Sequence, residues 1–372
     1  MKLTDLYIVI SFAAPLSSSL VCMILLIIRY KENDRYGHTK HYKLLILYFF
    51  ILSFLCAVVL FNLFRVFSVN LFTNALFMLS SMYTVVIFYN IVYLIMSTRN
   101  RDKIAKIHYF IPLVVMVIYL FLFHSSSFEI FTAFPFSGFF DINTHWGQKL
   151  AFTSKYWIWL DYKIVYSFIV VRQLFIYRKQ IVNYSAEQDR TSMNWLVQII
   201  GINIIFIPLT ILQLLFDSHN TLVPPLVYIT NLMIMLQSII LFYNMFINNY
   251  IIIAPENDKV ERGVLSLKID KSYFETYMAK EKPYLNPGLR ITDMIIPLGT
   301  NRTYLSKFIN STYGMSFSSY INDCRENELK RLQLNPKMIS YSHEDLVIMA
   351  GFTSYRGYKR FVKEKKSTEP FW

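Results

Sequence analysis

The chain has 372 residues, 55% of them hydrophobic and only 16% charged, with a formal net charge of +13. That balance lies outside the range of an ordinary soluble globular protein and points to a membrane. The excess of positive charge suits either nucleic acid or an anionic lipid surface, so its placement along the chain has to decide.

Seven apolar runs are long enough to cross a bilayer, which takes about 17–25 residues. They are Leu6–Ile28, Leu44–Phe64, Leu71–Met96, Tyr109–Phe123, Tyr156–Ile176, Trp195–Phe216 and Pro224–Ile247. In hydrocarbon every backbone group must be hydrogen-bonded internally, so these runs are predicted as helices despite their Ile, Val and Phe content. The first run is too long for a signal-peptide core and has little positive charge before it, so it is read as a permanent span.

Lys and Arg alternate across the loops. Arg29, Lys31, Arg35, Lys40 and Lys43 follow the first span, Arg99, Arg101, Lys103 and Lys106 the third, and Arg172, Arg178, Lys179 and Arg190 the fifth. The opposite side carries Lys2, Arg65, Lys149 and Lys155, and residues 217–223 carry none. The positive-inside bias then puts the N-terminus outside and, after an odd number of spans, the C-terminus in the cytoplasm.

The longest outside loop, residues 124–155, is rich in aromatics such as Phe128, Phe131, Phe134 and Trp146, which suits an interfacial position or a sensing mouth. Within the spans, the amides Asn62, Asn90, Asn203, Gln213, Asn231 and Gln237 are expected to hydrogen-bond between helices. Lys163 and Arg65 are expected to snorkel. Asp161 is the intramembrane acid singled out as a ligand-sensing residue. Cys22, Cys56 and Cys324 have no metal-site or disulfide spacing and read as small buried side chains.

Residues 251–270 form a polar linker around Pro255-Glu256-Asn257-Asp258-Lys259. The tail, 271–372, then reads as helices. Lys271–Lys280 is short and amphipathic. Leu289–Leu298 precedes a turn at Gly299, with Thr300 placed to cap Asn301–Ser311. Ser316–Leu334 is long and stops before Asn335-Pro336. Ser342-His343-Glu344-Asp345 is a capping box opening a helix that turns at Gly351 into a second one bearing Arg356, Lys359 and Arg360. Pro297 is expected to shorten the helix it sits in.

Two helix–turn–helix units joined by one long helix resemble the DNA-binding domain of AraC-type transcription regulators. The resemblance covers roughly residues 270–372. It rests on Leu289, Asp293-Met294, Leu298-Gly299, Arg302–Phe308, Gly314–Phe317, Tyr320-Ile321, Arg325 and Lys330–Leu332, then Gly351–Ser354, Tyr358–Lys363 and Pro370. It implies two recognition helices in neighbouring major grooves of double-stranded DNA. Asn301, Thr303 and Lys307 would face bases, with Arg302 and Tyr304 near the backbone. In the second helix Tyr355, Arg356 and Arg360 would face bases, with Ser354 and Lys359 near phosphates.

The expected fold is therefore all-α: a seven-helix transmembrane bundle over 1–250, a linker, and a cytoplasmic double helix-turn-helix domain over 271–372. The expected function is a multi-pass regulator of the bacterial inner membrane that binds DNA sequence-specifically and senses a signal, a ligand or a protein, through its membrane domain. Motion or homodimerisation would carry the signal. The competing reading is a seven-span receptor or transporter whose tail docks a protein partner. An enzyme is not expected: HExxH, GxSxG and Walker motifs are missing from the sequence. No cofactor or metal is expected.

Overall fold

The computed structural model describes residues 3–32, 39–63, 71–96, 105–124, 146–187, 193–215, 223–251, 253 and 269–368. The 125–145 part of the aromatic loop, Arg65, most of the 251–270 linker, Pro370 and several of the basic loop residues lie outside them. Among the described residues the structure is helical, with one isolated antiparallel bridge and no strand.

Seven helices come first: α1 (Leu3–Glu32), α2 (Thr39–Leu63), α3 (Leu71–Met96), α4 (Ile107–Phe123), α5 (Trp146–Ile181), α6 (Asn194–Leu215) and α7 (Val223–Phe246). Five of these, α1, α2, α3, α6 and α7, contain stretches long and apolar enough to cross a membrane. The other two predicted spans differ for physical reasons. Helix α4 is apolar but only 17 residues long. Residues 156–176 lie inside α5, a 36-residue helix whose apolar stretch is interrupted by Asp161, Lys163 and Arg172.

The described residues fall into two compact units. The first contains α1 to α4, α5 as far as Gln173, α6 and α7. Here α1 packs on α2 and α7, and α6 on α7. Ala75, Met78 and Met82 of α3 pack against Tyr119 of α4, with Ile158 and Tyr162 of α5 beside them. Burying apolar surface gives no net drive between helices already in lipid, so polar contacts take on weight. Ser19 and Ser53 Oγ atoms are 2.7 Å apart, joining α1 to α2. Asn231 donates to Ser11 Oγ at 3.3 Å and Gln213 to Thr230 Oγ1 at 3.1 Å. Asn90 bonds the Tyr109 hydroxyl, and His108 Nδ1 is 2.8 Å from that of Tyr166. Asn90, Gln213 and Asn231 thus join helices, as expected of intramembrane amides. Asn203 bonds the Ile199 carbonyl of its own helix instead.

The second unit gathers Leu174–Met193 with the chain after Asn249. Its helices are α8 (Lys271–Glu281), α9 (Arg302–Tyr313), α10 (Phe317–Gln333), α11 (His343–Met349) and α12 (Tyr355–Thr368), with 3-10 turns at Pro283–Leu285, Ile291–Met294 and Pro336–Met338. Helix α10 serves two cores. Its N-terminal half buries Phe317 and Ile321, where Tyr320 joins an aromatic cluster with Phe274, Phe308 and Tyr313. Leu329, near its C-terminal end, packs with Leu346, Val347, Ala350, Phe352 and Phe361.

The segment after α5 is built into this unit. Ser185 and Arg290 form the antiparallel bridge. Ile291 N–H donates to the Tyr184 carbonyl at 2.9 Å and Ala186 N–H to that of Leu289 at 3.2 Å. Ser318 N–H, an otherwise unpaired donor in the first turn of α10, donates to the Val182 carbonyl at 2.9 Å. Tyr184, Ser185 and Ala186 are buried as a result.

Candidate nucleic-acid interface

The first candidate recognition helix is α9. Asn301 is its N-cap, with a side-chain oxygen accepting from Tyr304 N–H at 2.9 Å. Thr300, expected as the cap, is instead buried, and the next residue, Asn301, takes the N-cap position. The helix ends at Gly314, whose φ of 70° is open to glycine without Cβ cost. Leu305 and Ile309 face the core. Thr303, Tyr304 and Lys307 are exposed. The element before α9 is a 3-10 turn over Ile291–Met294 rather than a helix over Leu289–Leu298. Pro297 and the left-handed Gly299 (φ 58°) close off the remainder.

The second candidate recognition helix is α12, preceded by α11. Ser342 Oγ accepts from Asp345 N–H while Asp345 Oδ2 accepts from Ser342 N–H at 3.1 Å, so the predicted capping box forms with Asp in place of Glu. Gly351 makes the turn with φ of 98°. A Cβ there would lie 2.4 Å from the Tyr284 carbonyl oxygen and 2.8 Å from Leu285 Cα, so the position admits only glycine. On α12 Phe361 is buried, and Tyr355, Tyr358 and Val362 pack against the same core. Arg356, Lys359 and Lys363 are exposed and recur at helical spacing, with half-buried Arg360 beside them.

The ten predicted contact residues thus separate by role. Thr303, Tyr304, Lys307, Arg356 and Lys359 are exposed on the two helices. Asn301 and Ser354 are caps; Ser354 Oγ accepts from Gly357 N–H at 3.0 Å. The Arg302 guanidinium lies 5.3 Å from the Tyr184 ring centre. The Tyr355 ring packs edge-on to His343 at 5.7 Å and carries the Lys359 ammonium 4.4 Å over its face. Arg360 is half-buried. Lys363 was not among the predicted residues, although its place seven residues after Arg356 puts it on the same face.

Two charged groups fix the frame behind these helices. Arg325, in the middle of α10, is 1% exposed. It donates from Nε to the Tyr284 carbonyl at 2.8 Å, from Nη1 to Ala186 O and Asn322 Oδ1 at 3.0 Å each, and from Nη2 to Asn286 O at 2.7 Å. Burial lowers its pKa to about 10, and it stays protonated at neutral pH. Lys365 of α12 reaches Asp323 and Glu326 of α10 at 2.9 and 2.6 Å. The Cys324 thiol is pushed up to about 11 by burial, which leaves it an unreactive packing group.

Asp161 lies in the other unit, exposed on α5 and lining neither cavity there, whereas Lys163 lines one of them. In comparisons with protein-family models, curated proteins and solved structures, nothing matches this chain.

Proposed function

We propose that this protein is a membrane-embedded one-component transcription regulator, with a seven-span sensing domain and a cytoplasmic, AraC-like pair of helix-turn-helix motifs that bind double-stranded DNA. The observation that carries this reading is the pairing in the C-terminal unit. Twice, a short element and a left-handed glycine lead into a capped helix with an apolar inner face and an exposed polar or basic outer one. Both pairs share α10 as a common support. Lys307, Arg356, Lys359 and Lys363 supply the positive charge that phosphates attract, and Arg356 is suited to guanine edges.

Seven spans are favoured over five on length and surface. At about 1.5 Å per residue, α5 is long enough to cross a bilayer with turns to spare, and α4 reaches the lower limit of about 17 residues. Both expose large apolar side chains, among them Phe110, Val117 and Phe121 on α4 and Val165, Phe168 and Phe175 on α5. Lipid covers such surfaces; water does not. With seven spans, the loop charges support a tail on the cytoplasmic side of a bacterial membrane.

The competing reading, a receptor or transporter whose tail docks a protein, has one observation behind it. Ile296, Leu334 and Ile339 are more than four-fifths exposed on the C-terminal unit. Genome-wide mapping of DNA crosslinked to the full-length protein in its host separates the two. Enrichment of discrete sites with a shared motif supports the regulator; recovery no better than that of the Arg356→Ala, Arg360→Ala variant favours the docking protein.

A further inference from the structure

The first unit contains two neighbouring cavities. One, of about 90 Å³, lies among α2, α3, α5, α6 and α7, with Thr84, Lys163, Ser167, Asn203 and Gln237 in its wall. The other, of about 120 Å³, extends toward Phe12, Val59 and Phe77. Leu52, Thr84, Trp159 and Ile234 line both. Among the described residues no Asp or Glu lines either cavity, and Lys163 supplies the only formal charge.

Lys163 is 8% exposed. Its ammonium lies over the Phe206 ring, 3.2 Å from the centre, and 5.2 Å from that of Trp159. Those two aromatic faces are its partners; among the described residues no carboxylate pairs with it. A lysine within a membrane span would ordinarily extend its stem toward the membrane surface. This one is turned inward, where a buried cation without a counter-charge is costly. An arrangement of that kind suits a ligand that brings the missing negative charge.

We propose that the two cavities form one binding site for a small organic carboxylate with an apolar body. The carboxylate pairs with Lys163 within reach of the Asn203 and Gln237 amides. The apolar body runs along Trp159 into the second cavity. A single cation matches a single negative charge, which disfavours a doubly charged phosphate. Cavities of this size accept a body of roughly one phenyl ring, by comparison with an engineered apolar cavity of about 150 Å³ in another protein that binds benzene. That occupancy is the regulator's input rests on the function proposed above; the binding itself does not.

The test uses the full-length protein in lipid nanodiscs, without DNA. Phenylacetate, its neutral isostere phenylacetamide, octanoate and inorganic phosphate are titrated by calorimetry. The expected result is saturable binding of phenylacetate or octanoate, with phenylacetate at least tenfold tighter than phenylacetamide, and a ratio near one in Lys163→Met. Equal affinity for acid and amide overturns the proposal, as does phosphate binding as tightly as the carboxylates, or no saturable binding of either carboxylate. If Lys163→Met does not fold, the acid-to-amide ratio in the wild type decides alone. Adding DNA afterwards tests the other reading separately. A protein that binds phenylacetate but no DNA keeps this site and loses the regulator.

Discussion

The Arg325 guanidinium donates to the carbonyl oxygen of Ala186 at 3.0 Å, joining residues 139 positions apart in the chain. Ala186 belongs to the segment that follows α5, and Arg325 sits at the middle of the helix that supports both candidate recognition helices. The same guanidinium binds the carbonyls of Tyr284 and Asn286 and lies 5.9 Å from the Phe352 ring centre. One side chain therefore ties together the α5 extension, the turn after α8, and the second helix pair. The α5 extension also holds the first residue of α9 through Tyr184 and Arg302. The same stretch of chain contributes Lys163 to one unit and Tyr184 to the other, so the units are joined covalently here as well as through the 251–270 linker.

Replacing Arg325 with Met leaves several buried carbonyls without donors. Each unsatisfied buried group costs about 1–3 kcal/mol, so the C-terminal unit should lose on the order of 3 kcal/mol or more. Urea unfolding followed by hydrogen exchange in residues 271–368 measures this. Protection should fall in both helix pairs at once, since α10 serves both cores.

Two glycines give a graded comparison. Gly314→Ala meets no neighbouring atom and should cost only the left-handed backbone term, about 1 kcal/mol. Gly351→Ala meets backbone at 2.4 Å as well, and should cost at least about 2 kcal/mol. The same urea experiment ranks them; equal losses would remove the close approach of α11's end to Tyr284 as a structural constraint.

The Lys365 bridge to α10 should respond to pH in two directions. Hydrogen bonds to Glu326 and Asp323 raise the lysine above its ordinary 10.5. Burial pushes Glu326 up, but Lys365 and Lys330 together bring it below its ordinary 4.5. A raised lysine stabilises fully below its unfolded pKa and loses that contribution as pH rises through the folded value. A lowered carboxylate stabilises above its unfolded pKa and loses that contribution as pH falls through the folded one. The bridge therefore holds between about pH 5 and pH 10. Because Lys365 is more than a third exposed, the effect is at most about 1 kcal/mol. Lys365→Met should be less stable than wild type at pH 7, and the difference in urea midpoint should shrink progressively as pH is lowered below 4.5.

Much of the C-terminal unit was legible because its signals are local. Ser342 with Asp345, Gly351 and the stop at Asn335-Pro336 each act within a few residues, and the helices expected over Lys271–Lys280, Asn301–Ser311 and Ser316–Leu334 form within about two residues of those bounds, whereas Leu289–Leu298 gives only a 3-10 turn. Pro297 announced the short element before α9. What local signals do not carry is which distant segment fills a gap. Val182–Glu187 lies about a hundred residues from Leu289, and nothing in its composition marks it as part of that unit. The membrane helices posed a related problem. Residues two apart on a helix point about 200° apart, so Asp161 and Lys163 cannot share a face. An apolar helix gives no pattern to say which of them faces lipid; in the structure Lys163 is buried and Asp161 exposed.

The most direct measurement of the central claim is sequence-selective DNA binding by the full-length protein. Sites are first selected from a random duplex library at low salt, then titrated against a scrambled duplex. Wild type should prefer the selected site strongly. The Arg356→Ala, Arg360→Ala variant should lose about 1–3 kcal/mol of that preference per base-reading arginine while its weak, salt-sensitive binding to the scrambled duplex changes far less. A wild-type protein with no preference between the two duplexes, or a double variant with the preference intact, would contradict the account.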